Sequence, residues 1–365
     1  MTVARDRDLD GVLLPLLSVP QGATGMALAA RHGDQEAFLV AGTTRHDPAP
    51  PITPDTRFEI GSTTKTFTAL LLADMAHRGE VRYDDPVDRY LPPGWRLRQR
   101  APVTLQHLAT HTSGLPRFPL GIVVTALPTW YSNPYQGFGP QQVRTTLSRI
   151  RLRSTPGSRF RYSNLGVGLL GWLLAEAAHR PFEDLLAERV LHPLDLARTS
   201  SASTPQATGH WHGRPRPAFR IPGLPAAGAL RSTARDLLRY LTAHLAPDDA
   251  PSTPLAQALT DVTRPRVLLP HDDGHLGLAW FHRTSADHDL LFHAGTTRGF
   301  TAFAGFSPQT HTALVSLVNT SAGSSRTFIQ RSYDTLVALA ARTGEDADRD
   351  RGDRPAKHVP VWDCK

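Results

Sequence analysis

The chain has 365 residues, 40% of them hydrophobic and 20% charged, a balance that reads as an ordinary globular protein able to bury a full core in one large domain or two subdomains. Its net charge of +7 is carried almost wholly by scattered arginines, with lysine only at Lys65, Lys357 and Lys365; without a basic run or a nucleic-acid motif this disfavours DNA or RNA as a partner. The one cysteine, Cys364, excludes an intramolecular disulfide and a thiolate metal cluster.

In chain order, "MTVARDRDLDGVLLPLLSVPQG" carries charges through Asp10 and then a short apolar run broken by Pro15. It lacks the core of a signal peptide, and no run in the chain approaches the roughly 20 apolar residues that span a bilayer, so a cytoplasmic protein without a membrane partner is expected. An amphipathic helix is expected from about Leu9 to Leu17. Two strands follow, "GMALAARHG" and "EAFLVAGTT", parted by a turn at Gly33 and Asp34. After a proline-rich loop, "STTKTFTALLLADMAHRG" predicts a strong helix beginning near Ser62 and stopped by Gly79. Residues 81–219 read as helices and long loops dense in Pro and Gly, a mostly helical insertion. Strand patterns resume with "GHLGLAWFHR", "HDLLFHAG", "RGFTAFAGFSP" and "HTALVSLVN", and "SSRTFIQRSYDTLVALAART" is a terminal helix able to lie on the sheet beside the first one. The expected fold class is therefore α/β (α+β), with sheet subdomain 1–80 plus 220–343 enclosing helical subdomain 81–219. The charged, aliphatic-poor tail 344–365 is expected to be disordered.

The first candidate chemistry lies in "FEIGSTTKTF". Ser62 and Lys65 stand at i and i+3, on one face of a helix. A serine hydroxyl needs a base to become a nucleophile, and a desolvated lysine can supply one. Alone, S-x-x-K is common by chance, and a capping serine with a surface lysine is the bland alternative. Here, however, a strand ends, a glycine turns the backbone, and a helix begins at the serine, where the helix dipole and a free N–H favour developing negative charge. With "TLQHLATHTSGLP" downstream, the stretch from about Phe58 to Asn319 resembles the serine β-lactamase and penicillin-binding protein superfamily. It is most similar to the branch of class C β-lactamases, D-stereospecific peptidases, family VIII esterases and transacylases. That resemblance implies a β-lactamase/transpeptidase-like fold.

The branch's second motif is Y-x-N, and the chain spells Tyr-Ser-Asn twice. Tyr162 fits, because "STPGSRFRYSN" leads at once into the helix "LGVGLLGWLLAEAAHR"; Tyr131 runs into Pro134 with no helix to anchor it. The third motif is supplied by His293, Ala294 and Gly295 in "LLFHAGTTRGF", with the backbone N–H groups of Ser62 and Thr296 expected as oxyanion donors. Lysine is usual in the resembling enzymes where this chain has His293, and a histidine only partly charged at neutral pH favours an esterase or acyl-transferring relative over penicillin or peptidoglycan chemistry. Asn164 would orient Lys65 and the substrate.

The resemblance thus implies a cofactor-free serine acyl hydrolase or acyltransferase acting through an acyl-enzyme on a small ester or amide, with water or an amine or alcohol as acceptor. Natural-product tailoring would suit the absent export signal. The alternatives are a β-lactamase or DD-peptidase, and a catalytically silent binding module, against which the retention of Ser62, Lys65 and Tyr162 argues. The loop aromatics Trp130, Tyr131, Tyr135 and Phe138 are either a substrate-facing lid or a small satellite core. His107 and His111 lack the glutamate of a zinc motif and read as structural; His210 and His212 read as surface residues, and no metal is expected. Ser232 reads as a helix N-cap, and the preceding "GLPAAGAL" resembles the branch's glycine-containing turn near the active site, with a structural role.

Overall fold

The computed structural model describes residues 7–342 except 47, 100, 120–128, 130–131, 153, 271–273, 286–287 and 322–323. The expected tail, Cys364, Trp130 and Tyr131 lie outside the described residues. In chain order the elements are α1 (Arg7–Leu13), β1 (Gly25–His32), β2 (Gln35–Gly42), β3 (Phe58–Glu59), α2 (Thr64–His77), α3 (Leu105–Ala109), α4 (Pro140–Arg149), α5 (Asn164–Ala178) and α6 (Phe182–Leu186). There follow β4 (Gly209–Trp211), β5 (Arg214–Arg216), β6 (Arg231–Ser232), α7 (Ala234–Leu245), α8 (Thr253–Asp261), β7 (Val267–Leu268) and β8 (His275–Leu276). The chain closes with β9 (Phe281–Ser285), β10 (His288–Thr296), β11 (Thr301–Ser307), β12 (Thr312–Val318), β13 (Thr320–Ser321) and α9 (Ser324–Ala340).

The expected antiparallel sheet is present, in the order β2-β1-β12-β11-β10-β9-β8-β7. Strands from opposite ends of the chain meet inside it, where β1 pairs with β12 from Met26↔Val318 to His32↔Thr312. The period-2 alternation of strands explains why both faces are covered. On one face Met26, Leu28, Ala30, Phe292, Phe303 and Leu314 meet α1 and α9 through Leu9, Leu13, Phe328, Tyr333 and Leu336. On the other, Ala27, Ala29, Ala302, Ala304, Val315 and Leu317 join the core of α2 and α7. Each fully buried Leu or Phe of these layers is worth roughly 1.5–3 kcal/mol.

Several local expectations shift. "GHLGLAWFHR" is divided into β8 and β9, with Ala279 at a φ of 63° between them. Inside the segment expected to be helical, β4 and β5 form a hairpin whose β4 pairs in parallel with β13. The N-cap of α7 is Thr233, whose hydroxyl accepts from the Asp236 N–H at 3.0 Å; Ser232 belongs to β6 and its hydroxyl meets that of Thr199 at 2.7 Å. His210 is buried against the Asn319 carbonyl rather than exposed, because the β4–β13 pairing covers it. Among the described residues no helix is long and apolar enough to cross a membrane.

Candidate active site

β3 ends at Glu59, and the chain makes one tight 3-10 turn, Gly61–Thr63, that runs directly into α2. Gly61 takes a φ of 48°, and a Cβ there would sit 2.7 Å from the backbone nitrogen of Thr296. A Cβ on Gly295 would sit 1.9 Å from the Ile60 carbonyl oxygen and 2.9 Å from the Ser62 nitrogen. Two glycines therefore let β10 press against the Ser62 turn as no side-chain-bearing residues could. Register permits this, since β9 pairs with β10 only from His288 to Phe292, so the edge at 293–296 faces the turn instead. The backbone amides of Ser62 and Thr296 are thereby brought to one seam.

α2 is buried from Thr64 through Met75. Lys65 is 0% exposed, and its Nζ donates to Ser62 Oγ at 2.8 Å and to the Ala227 carbonyl at 2.7 Å. Ala227 lies in the "GLPAAGAL" turn, whose Ala226 carbonyl accepts from Thr68 Oγ1 and whose Leu230 N–H donates to Thr64 Oγ1. That turn supplies the acceptor that aims Lys65. The Lys65 Nζ lies 5.1 Å from the centroid of the Tyr162 ring. Tyr162 is half-buried just before α5, whose N-cap Ser163 accepts from the Gly166 N–H at 2.8 Å and donates to the Pro116 carbonyl at 2.7 Å. Tyr162, from a distant part of the chain, thus lies beside the Ser62–Lys65 pair.

Three expected roles change with the packing. His293 is 1% exposed, sharing its strand face with buried Leu291, and its Nδ1 lies 2.8 Å from the Ala294 carbonyl, which places the proton on Nδ1. Burial, reinforced by the charge of Lys65, pushes its pKa down to about 3. It is a neutral group packed 6.5 Å from the Tyr162 ring, rather than a partly charged one facing substrate. Asn164 donates from Nδ2 to the Tyr135 hydroxyl at 3.2 Å and from its backbone to the Arg117 carbonyl; it makes no hydrogen bond to Lys65. Tyr135 is buried against Phe219 and Phe118 in the main core, as is Phe138, so both belong to the core reading of the loop aromatics.

Glu59 attracted no notice in the sequence, yet it is a buried junction. Its Oε1 accepts from the Phe219 N–H at 2.7 Å, Gln206 Nε2 at 3.1 Å and Arg231 Nη2 at 3.4 Å, and its Oε2 from Thr297 Oγ1 at 2.6 Å. One carboxylate thereby ties together the Ser62 turn, the residue after Thr296, and the strand that follows the Ala227 turn. A carboxylate set between the apolar Phe58 and Ile60 was the available signal. His107 instead completes a capping box with Thr104 at the start of α3. Among the described residues, no group of three or more His, Cys, Asp or Glu is arranged to hold a metal.

The chain is 30% identical over 306 residues to the D-alanyl-D-alanine-carboxypeptidase/endopeptidase AmpH of Escherichia coli, covering 79% of this chain and 77% of that one. It is 31% identical over 250 residues to a beta-lactamase of Yersinia enterocolitica, covering 67% and 60%. It is 26% identical over 279 residues to the protein flp of Staphylococcus aureus, covering 73% and 53%. The family described as Beta-lactamase matches residues 17–339, a span that includes the whole sheet and the Ser62 turn, and the chain belongs to that family of serine hydrolases on the β-lactamase fold.

Proposed function

We propose that the chain is a serine acyl hydrolase or acyltransferase that forms an acyl-enzyme on Ser62 with a small ester or amide. The observation that carries this reading is the 2.8 Å contact from a fully buried Lys65 to the Ser62 hydroxyl. Ser62 Oγ attacks the carbonyl carbon while its proton passes to the Lys65–Tyr162 pair, which enters the step one proton short, as phenolate beside ammonium or as phenol beside neutral amine, and the carbonyl oxygen takes its negative charge against the N–H groups of Ser62 and Thr296. Collapse re-forms the carbonyl and expels the alcohol or amine, which takes up the proton. Water or a bound acceptor then attacks the acyl-enzyme by the reverse sequence.

A β-lactamase or D-alanyl-D-alanine peptidase is the second reading, favoured by the activities for which the relatives are named. Against it stands neutral, buried His293, which offers no cation to a substrate carboxylate. Intact-protein mass spectrometry after exposure to activated esters, amides, β-lactams and D-alanyl-D-alanine peptides tests both. An ester-derived adduct that disappears in water or on adding an amine, and that Ser62→Ala cannot form, is expected. An adduct surviving in Ser62→Ala, or none from any donor, overturns the proposal.

A further inference from the structure

We propose that His111 is the positioning residue that holds the Tyr162 ring at Lys65, an inference that rests on the catalytic reading of Tyr162. His111 touches the tyrosine's segment at three successive residues. Its backbone carbonyl accepts from the Arg161 N–H at 2.7 Å, its Nδ1 accepts from the Ser163 N–H at 3.1 Å, and its ring lies against the Tyr162 ring between them, with centroids 4.3 Å apart. The flanking contacts extend the same seam, with the Gly157 N–H donating to the Thr112 carbonyl and the Asn164 N–H to the Arg117 carbonyl. The loop carrying Tyr162 is thus laid along residues 111–117, and His111 sits where the tyrosine hangs.

His111 is itself firmly set. It follows α3 with a φ of 58°, its N–H donates to the Leu108 carbonyl, and its ring is buried and meets Phe160 edge-on at 5.9 Å. An imidazole whose Nδ1 accepts from an amide must carry its proton on Nε2 and stay neutral. Burial and the nearby Lys65 enforce that state. Any residue with a β-carbon is uncommon at this backbone angle, although asparagine tolerates it, and asparagine also offers an oxygen near the place of Nδ1. His111→Asn and His111→Gly consequently separate the side chain's acceptor from the backbone conformation, since both accept the angle and only asparagine keeps an acceptor.

The test combines turnover of an ester that acylates Ser62 with amide hydrogen exchange of the 157–164 segment. His111→Gly should lower kcat by roughly 30- to 100-fold, the scale of a displaced catalytic group, with KM within about 3-fold. His111→Asn should recover kcat to within about 5-fold of the unmutated protein. In a Tyr162→Phe background, adding His111→Gly should cost less than about a further 3-fold, because the group being positioned is already gone. Exchange in 157–164 should quicken in His111→Gly and stay near the original in His111→Asn. Equal kcat in His111→Gly and the unmutated protein, a full extra loss in the Tyr162→Phe background, or unchanged exchange in His111→Gly each overturn the proposal. Should Tyr162→Phe alone turn over normally, the catalytic reading of Tyr162 fails, and with it the positioning role, while quickened exchange would still show that His111 holds the loop.

Discussion

Glu59→Gln is the substitution that probes the architecture behind the site most directly. Glu59 and Arg231 are both almost fully buried, and the carboxylate accepts from four donors, on Gln206, Phe219, Arg231 and Thr297. Glutamine keeps the shape but removes the charge, and it turns one accepting oxygen into a donating NH2 that must face either Thr297 or the Phe219–Gln206–Arg231 side. Arg231 is left as a buried cation whose remaining partners are the carbonyls of Ser201, Ala229 and Phe219 and the amide of Gln206. Breaking one side of such a pair costs about 3–5 kcal/mol. Urea unfolding followed by fluorescence gives the free energy. The partner test is Glu59→Gln with Arg231→Met, in which the orphaned charge is also removed. The double variant should lose clearly less than the sum of the two single losses, since they share one uncompensated ion pair. A Glu59→Gln loss below about 1 kcal/mol, or strict additivity, would refute the idea that this pair holds the segments around Ser62.

Ser62→Ala should form no acyl adduct by intact mass while losing at most about 2 kcal/mol of stability in the same urea assay, as expected for a small change at a helix start. Tyr162→Phe should lower kcat by roughly 100-fold or more, whereas Tyr131→Phe, the same change in the other Tyr-Ser-Asn, should cost less than about tenfold; steady-state kinetics on one ester compares them. His293, neutral in the fold with its pKa pushed down to about 3, binds fewer protons than in the unfolded chain, where 6.5 is usual. Its contribution is whole above the unfolded value and is lost as pH falls from 6.5 towards 3, by about 1.4 kcal/mol per pH unit. Urea titrations at pH 6 and 5 should show His293→Asn flattening that slope by about 1 kcal/mol, and an unchanged slope would contradict the assignment.

The local pattern of residues already determined much of this molecule. The short apolar runs in "GMALAARHG" and "HTALVSLVN", bounded by turn residues, marked strands, because run length and side-chain type are properties of neighbouring residues. The spacing of Ser62 and Lys65 placed them on one helical face, and the helix following Asn164 separated Tyr162 from Tyr131. Tertiary structure alone decided what lay opposite each of them. That Lys65 answers to the Ala227 carbonyl, 162 residues away, that Asn164 turns to Tyr135, and that Glu59 reaches Thr297 across 238 residues depends on which segments pack together. The same holds for His293, whose identity suggested a titratable group facing substrate. Its charge state is set by desolvation and by Lys65, and both arise only when β10 closes against the buried helix α2.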